Sequence, residues 1–143
     1  MLDEIQRVED WELLAQFSQA YRSLSDVLMD QITLHRSQAT VLCKLFVKEG
    51  MTQSEIAQQL SIQGATMTDI LQRMEEASLI SRRRDPVDNR LVRVYLTDGG
   101  REKERFIMEQ FLKLESAIFA GFTETERILL RQLLNRTMEN MGR

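Results

Sequence analysis

Five arginines, Arg82, Arg83, Arg84, Arg90 and Arg93, fall within the stretch Ser81–Leu96 (SRRRDPVDNRLVRVYL), against two aspartates, Asp85 and Asp88. Guanidinium groups at this density hold phosphates and reach into grooves lined with acceptors. The chain's single proline, Pro86, lies in the segment DPVDNR, after which Val92, Val94 and Leu96 share one face and Arg93 and Tyr95 the other. Leu79–Arg84 and Leu91–Leu96 are therefore predicted as paired strands, with DPVDNR as the hairpin tip. Arg90 stands at that tip beside Asp88 and Asn89, with Arg82, Arg83 and Arg84 at its base. A cation on a thin, rigid tip suits the narrow, electronegative minor groove of a duplex, and cations at the base suit phosphates. Asp88 is expected to hold the tip in shape by hydrogen bonding or by pairing with a base arginine. The competing reading of any single arginine is a solvated charge of little energetic worth.

A second set of side chains precedes the hairpin. Thr52-Gln53-Ser54-Glu55 is a capping box that opens a short helix to Leu60, with Ile56, Ala57 and Leu60 as its apolar positions. After the turn SIQG, a helix over Ala65–Ala77 places Met67, Ile70, Leu71 and Met74 on one side. Rotation of about 100° per residue then directs Ala65, Asp69, Gln72 and Glu76 outward, flanked by Thr66, Thr68 and Arg73. In a major groove Gln72 can pair with adenine, and Thr66 and Thr68 can meet a thymine methyl or a phosphate. Asp69 would be repelled by phosphate unless it pairs with Arg73 or accepts from a cytosine amino group. A helix-turn-helix followed directly by a basic hairpin is the winged variant of that motif. The candidate DNA-binding residues are Thr66, Thr68, Asp69, Gln72, Arg73, Arg84, Asp88 and Arg90. The competing reading of the helix face is a solvated surface.

The elements that must position these groups are mostly helical. Leu13, Leu14, Phe17, Tyr21, Leu24 and Leu28 recur at spacings of three and four between about Val8 and Met29, marking an amphipathic helix. A second helix runs from near Leu34 or Ser37 to Lys48, burying Val41, Leu42, Leu45 and Phe46 and ending at Gly50. Beyond Thr97-Asp98-Gly99-Gly100 the chain returns to helix through Phe106, Ile107, Phe111, Leu114, Ile118 and Phe119, and breaks at Gly121. Thr123-Glu124-Thr125-Glu126 is another capping box, opening a last helix with Ile128, Leu129, Leu133, Leu134, Met138 and Met141. The predicted fold class is mainly α with a small β-wing: a winged helix-turn-helix lobe plus a helical region from both termini.

The 143 residues carry a net charge of −3, 43% apolar and 29% charged residues, as in an ordinary globular protein. The sign is segregated: residues 1–20 hold one arginine against five acids, while the hairpin is strongly basic. A local basic patch binds phosphate whatever the global sum, because salt screens exposed charges beyond about 8 to 10 Å. No apolar run approaches the roughly 18 residues that span a bilayer, and MLDEIQRVEDWELL lacks a basic leader, so a cytoplasmic location and no membrane partner are expected. One cysteine, Cys43, and one histidine, His35, leave no intrachain disulfide, no cofactor or metal set and no catalytic constellation, so an enzyme is not expected.

From Ile32 to Arg101 the sequence resembles the MarR family of bacterial winged-helix regulators, through QATVL, GMTQSEIAQQL, ATMTDILQRMEEASLI and DPVDNRLVRVYLT. Its D-x-R wing signature maps onto Asp88 and Arg90, and its L-T-x-x-G onto Leu96, Thr97 and Gly100. Two departures stand out: Asn89 where the family often has arginine, and Asp69 where many members place a basic residue. The resemblance implies one MarR-type domain over residues 1–143. Residues 32–100 would form the DNA-binding lobe, and 1–31 with 101–143 a helical dimerisation region. It implies a homodimeric repressor on a palindromic operator in double-stranded DNA, with a small aromatic or anionic effector as a further partner. The two strongly apolar C-terminal stripes, Phe106 to Met141, independently call for a partner chain. Candidate effector-binding residues are Trp11, Phe17, Tyr21, His35 and Arg36, each of which is otherwise structural. Two alternatives remain: a winged-helix protein-interaction module without specific DNA binding, and a thiol-based redox-sensing regulator acting through Cys43.

Overall fold

The computed structural model describes residues 9–143. The Val8 start of the first helix and the first part of the leader reading fall on residues 1–8, outside the described residues. Helices α1 (Asp10–Asp30), α2 (Arg36–Val47), α3 (Gln53–Leu60), α4 (Gly64–Glu76), α5 (Asp98–Ile118) and α6 (Glu124–Asn140) dominate. Strands β1 (Met51–Thr52), β2 (Ile80–Arg84) and β3 (Val92–Leu96) form an antiparallel sheet in the order β1-β3-β2. The architecture is the predicted one, mainly α with a small wing.

Local chemistry explains the boundaries. At α3 the Thr52 hydroxyl accepts from the Glu55 amide at 3.1 Å while the Glu55 carboxylate accepts from the Thr52 amide at 2.8 Å, closing the predicted capping box. Thr123 and Glu126 repeat the arrangement at α6. Gly50 does not end α2 as the sequence suggested: the helix stops at Val47 and Lys48 is already extended. Gly50, at φ +75°, instead makes the turn into β1, where its amide donates to the Val94 carbonyl at 2.9 Å. At the start of α5 the Thr97 hydroxyl donates to the Ser78 carbonyl at 2.5 Å and accepts from the Gly100 amide at 3.1 Å. Gly100 lies so close to the Leu79 carbonyl that a Cβ there would overlap it.

The core gathers Val41, Leu42 and Leu45 from α2, Ile56 from α3, Met67, Leu71 and Met74 from α4, and Met51, Ile80 and Val94 from the sheet. Phe46 and Ile70, expected in that core, are half-buried. A fully buried aliphatic side chain contributes about 1.5 to 3 kcal/mol, so the Met67, Leu71 and Met74 stripe fixes the rotation of α4 firmly.

The chain divides into two compact units, one closing at Gln110 and the other spanning Phe111–Arg143. Within the first, α1 buries Ser25, Leu28 and Met29, and leaves Trp11, Leu13, Leu14, Phe17 and Tyr21 exposed. Within the second, Arg127 pairs with Glu115 and lies 4.4 Å over the Phe119 ring, while Phe119 meets Phe122 edge-to-face at 5.5 Å. Helix α6 buries none of its residues, and Ile128, Leu129, Leu133 and Met138 are exposed. Among the described residues no helix is long and apolar enough to cross a membrane.

Candidate nucleic-acid interface

Helix α4 presents Thr66, Thr68, Asp69, Gln72 and Arg73 on its exposed side, opposite the buried methionine and leucine stripe. The Thr68 hydroxyl donates to the Gly64 carbonyl at 3.0 Å and accepts from Gln53 Nε2 at 2.6 Å, joining the first turns of α4 and α3. Its methyl is the part left for a thymine contact. Gln72 Nε2 donates to Glu76 Oε1 at 3.2 Å, one exposed bond of the kind that exchanges readily for a base contact. Among the described residues no ion pair joins Asp69 to Arg73, so the first of the two ways to accommodate that aspartate is not used. The side chain of Ser61, between α3 and α4, belongs to a residue at φ +53°, the left-handed corner of the motif.

Thr66, Asp69, Ile70 and Arg73 also wall a cleft of about 440 Å³ whose other side is His35, Ser37 and Gln38 at the start of α2, with Ile62 between. Of the five candidate effector residues only His35 lines it. His35 caps α2, its Nδ1 accepting from the Ser37 amide at 3.3 Å. Arg36 pairs with Asp26 of α1 at 3.4 Å, and Trp11, Phe17 and Tyr21 lie on the exposed part of α1. Cys43 is half-buried in α2, and burial pushes its thiol above the ordinary cysteine value, opposing thiolate formation.

The wing has a problem that its register exposes: Arg83 faces Arg93 directly across the ladder. Like charges at that spacing repel. The conflict is resolved by turning both away, Arg83 over the Tyr95 ring at 4.7 Å and Arg93 onto the Asp85 carboxylate. Arg82 gives its guanidinium and its amide to Glu75 of α4, at 3.2 and 3.0 Å. Arg84 remains exposed and donates to the Asn89 carbonyl at 2.8 Å. The three base arginines thus differ sharply, and among the described residues Arg84 is the one whose charge has no carboxylate or ring partner.

At the tip, Asp88 pairs with Arg90 and not with a base arginine. Its two oxygens accept from Arg90 Nε and Nη2, both at 3.0 Å, yet the arginine side chain stays 86% exposed. A bidentate fork fixes the direction of a guanidinium while leaving its outer edge free. The turn itself is held by Asp85, whose Oδ1 accepts from the amides of Val87 and Asp88 at 2.8 and 2.9 Å. Sequence reasoning missed Asp85, although an aspartate before a turn proline carries the Asx-turn signal that would have found it. Beside the tip, a hollow of about 150 Å³ is walled by Thr52, Gln53 and Ser54 at the α3 N-terminus and by Arg90, Leu91 and Val92. The charges at its edge are already matched, Arg90 by Asp88 and the α3 N-terminus by the Glu55 carboxylate.

The Arg93 side chain, followed by the Asp88 and Val87 amides, holds the Asp85 carboxyl down at about 2, from an ordinary 3.8. A depressed carboxylate contributes stability that is present above the unfolded value and is lost as pH falls through the folded one. The wing is therefore expected to stay ordered down to pH 3.8 and to loosen between there and about 2. Amide resonances of Val87 and Asp88 followed through an acid titration check this; a midpoint near 3.8 would contradict it.

A helix-turn-helix with a charged outer face, followed by a hairpin holding an arginine at its tip, defines a winged-helix DNA-binding protein. The MarR family model matches residues 34–92. The chain is 30% identical over 135 residues to the uncharacterized HTH-type transcriptional regulator YdgJ of Bacillus subtilis (strain 168), covering 94% of this chain and 82% of that one. In fold it matches the DNA complex of MepR from S. aureus with a TM-score of 0.85 at 23% identity, over 92% of this chain and 98% of that one. It also matches PcaV from Streptomyces coelicolor, solved in complex with its natural ligand, with a TM-score of 0.82 at 21% identity, over 97% of this chain and 98% of that one. The chain belongs to the MarR family of DNA-binding transcriptional regulators, which act by binding and not by catalysis.

Proposed function

We propose that the protein is a cytoplasmic, homodimeric repressor that binds a palindromic operator and is released by a small aromatic or anionic effector. The observation that carries the DNA reading is the Asp88–Arg90 fork, which aims an exposed guanidinium from a rigid tip. On this reading α4 enters the major groove with Thr66, Thr68, Asp69, Gln72 and Arg73. Arg90 enters the flanking minor groove and Arg84 meets a phosphate. Residues 32–100 form the reading lobe, and residues 1–31 and 101–143 the dimerisation region. What supports the dimer is that α1 and α6 each carry large apolar side chains left uncovered in the single chain. The effector reading is supported by the cleft at His35, where a ligand would occupy space beside Arg73 and Asp69, and by the ligand carried by PcaV. Trp11, Phe17, Tyr21 and Arg36 belong to the same proposed effector set.

Selection from a random duplex pool tests the function, with sedimentation of the same sample. The expected outcome is an inverted repeat with half-sites about one helical turn apart, bound by a species of twice 16.7 kDa. Asp69, which has no arginine partner among the described residues, is expected to accept from a cytosine amino group. The Asp69→Ala protein should then lose preference for one cytosine per half-site, worth about 5- to 100-fold. A species of 16.7 kDa alone contradicts the dimer, and binding that is flat with salt favours a protein-binding wing.

A further inference from the structure

The carboxylate of Glu49, in the turn between α2 and β1, has two partners distant in sequence. Its Oε2 accepts from Arg101 Nη2 in the first turn of α5 at 2.6 Å, and its Oε1 from the Leu96 amide at the end of β3 at 2.9 Å. The next residue continues the connection: the Gly50 carbonyl accepts from Arg93 Nη1 at 2.7 Å, and Arg93 Nε is bonded to Asp85. Asp85 in turn holds the Asp88 amide, and Asp88 holds Arg90. Tyr95 closes the turn from the side, its ring edge 3.3 Å from where a Gly50 Cβ would stand.

We infer that Glu49 is a positioning residue for DNA binding: it fixes the α2–β1 turn to the start of α5, and through Gly50, Arg93, Asp85 and Asp88 it sets where Arg90 points. The inference rests on the proposed role of Arg90 in the groove. Three features make the chain of contacts more than a set of surface pairs. The links from Glu49 to Leu96 and Arg101 and from Gly50 to Arg93 join segments 43 to 52 residues apart, and the Arg93–Asp85 pair ties β3 to the turn of the wing. The links alternate ionic and backbone groups, so a carboxylate that leaves its arginine also releases the amide it holds at Glu49, Asp85 or Asp88. The Asp85 carboxylate has only 11% of its side-chain surface exposed, which limits exchange of its partners for water. A displacement of the α5 first turn relative to the sheet therefore arrives at the wing tip as a change in the aim of Arg90.

A double-mutant cycle separates this role from simple support of the fold. The probe is a fluorescein-labelled duplex recovered by pool selection with the wild-type protein, titrated over a salt series. Glu49→Gln keeps the shape and one acceptor but removes the charge that Arg101 and the turn share. It is expected to weaken binding by about 5- to 10-fold and to lower the salt slope by about one, as Arg90→Ala does. In an Arg90→Ala background the same change should shift affinity by less than about twofold. Arg101→Leu, made at an exposed side chain, should show the same dependence on Arg90 and guards against a Glu49 variant that fails to fold. Equal effects of Glu49→Gln with and without Arg90, or weaker binding at an unchanged slope, overturn the inference while leaving the DNA reading standing. Wild-type protein that recovers no duplex overturns both.

Discussion

Replacing Arg90 with alanine is expected to weaken binding to a selected duplex by about 10- to 100-fold and to lower the slope of log affinity against log salt by about one. The size follows from what the side chain has already been prepared to do. Arg90 is held bidentately by Asp88 and yet exposes most of its surface, so entering a groove requires little further ordering. A narrow minor groove concentrates negative potential, so one guanidinium there counts for more than one at an open phosphate. Arg84→Ala is the internal comparison: its charge lies at the base and it is tied to the Asn89 carbonyl, so the loss should be about two- to fivefold. Asp88→Asn should fall between them, since the amide keeps one acceptor for the fork and loses its charge. Fluorescence anisotropy at four or more salt concentrations checks the series. Equal losses for Arg84→Ala and Arg90→Ala would remove the special place given to the tip.

Gly100→Ala is expected to lower the thermal midpoint by about 5 to 10 °C. Helix propensity alone predicts the opposite sign, because alanine is favoured over glycine inside a helix by about 1 kcal/mol. Sterics decides here. A Cβ at Gly100 would overlap the carbonyl of Leu79, a backbone atom between α4 and β2 that is itself fixed by accepting from the Thr97 amide at 3.2 Å. Relief requires the start of α5 to move off the sheet, breaking the bonds that Thr97 makes to Ser78 and Gly100. Overpacking of this kind costs about 1 to 3 kcal/mol or more, exceeding the propensity gain. The control is Gly64→Ala at the start of α4, where a Cβ meets nothing within 4 Å and the midpoint should hold or rise. Differential scanning calorimetry of the two variants gives the comparison directly.

Much of this was legible because short-range chemistry wrote it. The capping boxes at Thr52 and Thr123 fixed two helix starts, and the period of Met67, Leu71 and Met74 fixed which face of α4 turns outward. The signature Leu96-Thr97-x-x-Gly100 was recognisable, but its physical meaning needed the position of the Leu79 carbonyl. Strand β1 was invisible: two residues cannot show an alternation, and Met51 and Thr52 are a strand only because β3 lies beside them. The fates of the wing arginines were equally hidden. Which partner each takes depends on the register that sets Arg83 against Arg93, and on α4 bringing Glu75 to Arg82. Glu49 gave no signal, since its partners are 47 and 52 residues away. Helix α1 shows a different limit: the spacing of Leu13, Leu14, Phe17 and Tyr21 marked an apolar face, and in the single chain that face is open.

The pairing of Arg82 with Glu75, Arg90 with Asp88 and Arg93 with Asp85 bears on how such a protein searches a chromosome. Three of the five hairpin cations carry a carboxylate with them. Random stretches of duplex are therefore expected to attract this wing less than five unpaired cations would. Long residence is then expected at sequences whose shape and base edges supply what the bare polyanion does not.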